Sequence, residues 1–181
     1  MMKRIALLCF GLSALSLSAC LDHSGVGREP DEYVGCATDE NWTTFDDAAE
    51  VVSGTQAPSF TMPTGVALPS TPVVFTWKQS ASVDGSAGGD VAACDQYNTG
   101  FTTLHEAPVS GTVYDLQFSV GGEVKHRVLT TLQKWQASPE VWSSFGGSTI
   151  SVKLRRMVLL NNDRKDGPYV TTTPFTASVA K

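Results

Sequence analysis

One segment constrains this chain more than any other. Residues 112–120 alternate without a break: Tyr114, Leu116, Phe118 and Val120 fall on one side, and Val113, Asp115, Gln117 and Ser119 on the other. A two-residue period fits a strand with one buried face and excludes a helix, whose period is 3.6 residues. Gly121-Gly122 follows and supplies the positive φ that a tight hairpin turn needs. A return strand is predicted over 123–132, with Val124, Val128 and Leu132 available for burial. The same texture recurs elsewhere. Val73, Phe75 and Trp77 share one face over 73–78, and Ile150, Val152 and Leu154 point inward over 149–160. A polar loop over 161–168 then leads to a last strand over 169–179, broken by Pro174. Short alternating strands separated by turn residues predict an all-β, antiparallel β-sandwich.

One or two short peripheral helices are expected. Over 39–52, Trp42, Phe45, Ala49 and Val52 recur at three- and four-residue steps, with Asp39 as a cap and Gly54 just past the end. Ser138-Pro139-Glu140 combines a capping hydroxyl, a first-turn proline and an acid near the positive end of the dipole, and Val141, Trp142 and Phe145 follow before Gly146-Gly147. Residues 79–111, rich in Ser, Gly, Asp, Ala and Thr, are too long for a hairpin connection and predict an inserted loop.

At the N-terminus, Lys3 and Arg4 precede an apolar run over 5–15 that is too short for a stable membrane span, and Leu17-Ser18-Ala19-Cys20 follows. In this order and spacing the first 20 residues resemble the signal and lipobox of bacterial lipoproteins. The resemblance implies cleavage ahead of Cys20, acylation of its sulfur, and a lipid-anchored place in the bacterial cell envelope. Leu21, where an aspartate would oppose export, points to the outer membrane of a Gram-negative cell. Each buried acyl methylene contributes ~0.8 kcal/mol, so two or more chains anchor the protein without a spanning helix. The membrane is then the first expected partner, through the lipid on Cys20. The expected organisation is a signal peptide (1–19), a lipidated flexible tether (20–35), a short helical segment (36–56) and a sandwich (57–181) carrying the insertion at 79–111. With Cys9 removed and Cys20 lipidated, Cys36 and Cys94 remain, and an oxidising compartment favours a bridge between them over free thiols or pairing with another chain.

The charge is divided unevenly. Residues 20–100 hold 12 acidic and 2 basic side chains, and 101–181 hold 6 acidic and 9 basic. So acidic a first half argues against a nucleic-acid partner. Lys125, Arg127, Lys153, Arg155 and Arg156 mostly alternate along strands and read as a solvated sheet face.

Several short motifs add a second resemblance. Pro72-Val73-Val74-Phe75-Thr76-Trp77, Tyr114-Asp115-Leu116-Gln117-Phe118, Ser151-Val152-Lys153-Leu154 and Asp166-Gly167-Pro168 together look like a fibronectin type III or immunoglobulin-like module. The likeness spans about 58–181 and implies a Trp on the second strand, a Tyr on the third and a Gly/Pro loop before the last. It departs at Ile150, near where many such modules carry a core tyrosine, and in the 79–111 insertion.

Catalytic signals are sparse. There is no G-x-S-x-G elbow, no phosphate-binding loop, no dinucleotide fingerprint and no HExxH, and Arg164 and Lys165 spoil the 161–167 loop as a calcium site. No catalytic residue, metal site or cofactor is expected. His23 reads as solvated, His126 as a half-buried sheet position, and His105, beside Glu106, as the one histidine placed for a base or ligand. Trp77 reads as core, and Trp142 and Phe145 as packing residues. Trp135, between Lys134 and Gln136, reads as an exposed contact suited to a ligand. The reading that follows is a non-catalytic binding or scaffolding module for an envelope protein or a glycan. Its alternatives are a carbohydrate-binding module using exposed aromatics and a metal-assisted hydrolase centred on His105.

Overall fold

The computed structural model describes residues 28–79 and 108–181. The signal segment, Cys20, His23, Cys94 and His105 lie outside the described residues, as does most of the insertion. The elements are β1 (Glu32–Val34), α1 (Asp39–Asp46), β2 (Val51–Val52), β3 (Ser59–Phe60), β4 (Val66–Leu68), β5 (Val74–Lys78), β6 (Gly111–Val120), β7 (Glu123–Thr130), β8 (Lys134–Gln136), α2 (Pro139–Ser144), β9 (Thr149–Leu160), β10 (Asp163–Val170) and β11 (Phe175–Val179). The described part is therefore mostly β, with two short helices.

A large sheet runs in the order β1-β7-β6-β9-β10-β2. The long strand β9 pairs with β6 along one edge and shares its other edge between β10 and β11, and β4 adds to β11. A second sheet, β3-β5-β8, is antiparallel. The large sheet is mixed, which corrects the expectation of purely antiparallel pairing: β1 lies parallel to β7, β2 to β10 and β4 to β11. Each of these added strands is only two or three residues long, too short for a hydrophobic period to register.

The hairpin from β6 to β7 turns at Gly121 (φ 60) and Gly122 (φ 87), as the sequence predicts. Its ladder skips a residue between Phe118↔His126 and Ser119↔Val124. Val124 is thereby shifted out of line with Val128, and Leu132 is 38% exposed. The predicted loop over 161–168 is instead a second hairpin, with Leu160 paired to Asp163. Asn161 (φ 53) and Asn162 (φ 67) form its turn, because asparagine tolerates the left-handed region better than other residues with a Cβ.

Helix α1 starts one residue after its cap, Thr38, whose hydroxyl accepts from the Asn41 N–H while the Asn41 side chain accepts from the Thr38 N–H. It ends at Asp46, six residues before the end of the predicted stripe. Asp46 and Asp47 oppose the negative end of the helix dipole, and the β-branched pair Val51-Val52 joins the sheet instead. Helix α2 follows the sequence closely, capped by the Ser138 hydroxyl with Pro139 in its first turn. The expected tether does not extend through residue 35: Glu32–Val34 forms β1, and the Asp31 N–H donates to the Arg127 carbonyl at 2.8 Å. After β1 the chain turns at Gly35 (φ 73), where a Cβ would lie 2.3 Å from Thr131 Oγ1.

Two apolar clusters flank the large sheet. On one face, Tyr114, Leu116, Phe118, Ile150, Val152 and Leu154 meet Phe75, Trp77 and Trp135 of the small sheet, together with Trp142 and Phe145 around α2. On the other, Val113, Leu129, Met157 and Leu159 meet Trp42 and Phe45 of α1.

Candidate functional site

The strongest concentration of chemistry lies on the α1 face of the sheet. Asp115, at the centre of β6, is completely buried, directly across the ladder from Arg155 and diagonal to Arg127. Its carboxylate accepts four hydrogen bonds: from Arg127 Nε (2.7 Å) and Nη2 (3.1 Å), from Arg155 Nε (2.6 Å) and from Gln117 Nε2 (3.0 Å). Burial alone would raise the Asp115 pKa. The Arg155 and Arg127 guanidiniums overcome that and hold it below the ordinary carboxylate range. Helix α1 closes this site from above, with Trp42 3.8 Å over the Arg127 guanidinium and Phe45 5.2 Å over that of Arg155.

The charges continue outward in alternating sign. Arg155 Nη1 reaches Glu50 at 3.0 Å, and Glu50 also accepts from Lys153 Nζ at 2.6 Å. On the other side Arg127 Nη1 donates to the Arg28 carbonyl, and its backbone N–H donates to Asp31, which in turn pairs with Arg28 at 2.6 Å. Arg28, Asp31, Arg127, Asp115, Arg155, Glu50 and Lys153 thus form one electrostatic ladder. It spans β7, β6 and β9 and ties in the residues that precede the parallel edge strands β1 and β2.

The expectation of a solvated basic face holds for the lysines and fails for the arginines. Arg127, Arg155 and Arg156 are 3%, 5% and 1% exposed, because α1 covers the first two and the third points into the opposite face. Alternation along β9 shows that Arg155 shares a face with Met157, but not that a helix lies over that face. The useful signal was Asp115 itself, an acid at the middle of the most regular strand.

Trp135 is corrected as well. It is 4% exposed rather than an accessible contact, because β8 pairs with β5 and turns the indole inward against Phe118 and His126, at ring-centroid distances of 4.8 Å and 5.6 Å. Its N–H donates to Glu32 at 2.9 Å, and the same carboxylate lies 3.1 Å from His126 Nε2. His126 is 7% exposed, more enclosed than a half-buried position, with Asp31 at 3.6 Å from Nδ1. Sequence reasoning did not single out Glu32 or Asp31, which lie in the expected tether. Trp42, Trp77 and Trp142 are also buried, so none of the four tryptophans offers a stacking surface.

Among the described residues no group of three His, Cys, Asp or Glu side chains is placed to hold a metal ion. No helix among them is long and apolar enough to cross a membrane. Cys36 is disulfide-bonded. Cys94, its expected partner, and His105, the expected base or ligand, lie outside the described residues. Asn41 heads a glycosylation sequon, but it is fully buried and donates to Asn162 at 2.9 Å. No protein family matches the chain, and no curated protein matches it.

Proposed function

We propose that this chain is a lipid-anchored protein of the bacterial cell envelope, held at a membrane through Cys20, whose folded part is a non-catalytic binding or scaffolding module of the immunoglobulin/fibronectin III type. The non-catalytic part of this reading rests on Asp115. The buried carboxylate that most resembles a catalytic group is sealed under α1, accepts four hydrogen bonds and is held ionised by two guanidiniums. An acid in that state ties strands together, and its complete burial closes it to a substrate. The module type is supported by Trp77 of β5 lying against Tyr114 of β6 at 5.4 Å, the Trp and Tyr that the sequence resemblance singles out. A disulfide at Cys36 fits an exported protein, since thiols stay reduced in the cytosol.

The anchor is tested by Cys20→Ser. The variant is expected to lose fatty-acid label and to leave the membrane fraction. A labelled, membrane-bound variant would refute it.

A further inference from the structure

Where β5 ends, three buried polar atoms have no partner: Trp77 Nε1, Thr112 Oγ1 and Arg156 Nε. Their residues are neighbours. Trp77 packs edge-on against Tyr114, Tyr114 pairs across the ladder with Arg156, and Thr112 precedes Tyr114 by two positions on the same face of β6. Exposure is 2% for Trp77, 7% for Thr112 and 1% for Arg156. The indole and guanidinium nitrogens can only donate, and the hydroxyl has one proton to give.

Several buried groups of the same kind do find acceptors. The indoles of Trp135 and Trp142 donate to Glu32 and to the Pro69 carbonyl, and Arg127 and Arg155 both bond Asp115. The Arg155 guanidinium still keeps Nη2 without a partner, and that of Arg156 keeps Nε. Arg156 Nη1 donates to the Gln56 carbonyl at 3.1 Å and Nη2 pairs with Asp166 Oδ2 at 3.8 Å, while the other oxygen of that carboxylate accepts from the Tyr169 hydroxyl and the Gly167 N–H. That ion pair is too long for a hydrogen bond and leaves Arg156 Nε an unmet donor, which is costly to bury unless an acceptor reaches it. The surroundings exclude water well enough that burial pushes the Tyr114 hydroxyl up to about 12, and an ionic contact there is stronger than at the surface.

We infer that Arg156, Trp77 and Thr112 form a binding site for a small oxyanion, a carboxylate or a phosphate group, that accepts from the Nε–H, the indole N–H and the hydroxyl. The site is separate from the Asp115 ladder and needs neither the lipid anchor nor the module assignment.

The test follows thermal unfolding and tryptophan fluorescence of the full-length chain while acetate, or separately inorganic phosphate, replaces chloride at fixed ionic strength. A saturable rise in Tm with either anion is expected, since a ligand that binds only the folded state stabilises it by mass action. Saturation by acetate alone identifies a carboxylate site, and saturation by phosphate alone a phosphate site. Trp77→Phe and Thr112→Val each remove one donor with little change of shape, and each is expected to weaken the apparent affinity roughly tenfold. Arg156→Gln is expected to abolish the effect. No saturable rise, or a rise of equal affinity in the Trp77 and Thr112 variants, would mean that these donors are met by water and would overturn the proposal.

Discussion

On one face of the large sheet, Tyr114, Leu116 and Phe118 meet Phe75, Trp77 and Trp135, a wall of rings. On the other, Val113 and Met157 share the floor with Asp115, Arg127 and Arg155 beneath Trp42 and Phe45. Both faces are buried, yet they hold together by different physics. Each ring on the first face contributes its own burial, so its loss is felt singly. The charges on the second are stabilising only as a set, because each is costly to bury without the others.

The largest effect separating the two faces is expected from Asp115→Ala, which strands two buried guanidiniums and should cost about 3–5 kcal/mol in urea unfolding. Acid has the same target. Because the folded Asp115 titrates below its ordinary 3.8, its contribution is present above that value and is lost as pH falls through the lower, folded one. The urea midpoint of the natural protein should therefore keep falling in acid below the ordinary carboxylate range, and Asp115→Asn should flatten that part of the profile. A smaller change of opposite sign is expected when the set is replaced together. Asp115→Leu with Arg127→Met and Arg155→Met should restore, in the same urea unfolding, the stability lost in the single variant and add a gain, which for such replacements reaches about 1–4 kcal/mol. A triple variant as unstable as Asp115→Ala would break the contrast between the faces. The smallest effect sharpens the role of α1 as the lid. Thr38→Ala removes its cap and should cost about 1 kcal/mol, with hydrogen exchange rising at Trp42 and Phe45 and unchanged at Phe118.

Much of the scaffold was legible because its signals are local. The alternation of β6, the Gly121-Gly122 turn, the full length of β9 and the capped start of α2 can each be read within a dozen residues. The parallel additions were not legible, since Glu32–Val34 and Val51–Val52 are too short to show a period and owe their strand form to β7 and β10. The charge ladder was half visible. Asp115, Arg127 and Arg155 sit on strands that the sequence locates, but their pairing depends on register, and Glu50 and Asp31 arrive from segments read as helix and tether.

The chain's own order of residues determined which strands form and which side of β6 and β9 is apolar, because a pleated backbone sends neighbours to opposite faces whatever surrounds it. Tertiary structure alone decided what became of the other side. Trp42 lies 85 residues before Arg127 of β7 and Phe45 lies 110 before Arg155 of β9, and once these rings cover the two arginines their side chains leave water. A charge leaving water must find its opposite, and Asp115 is the group in reach.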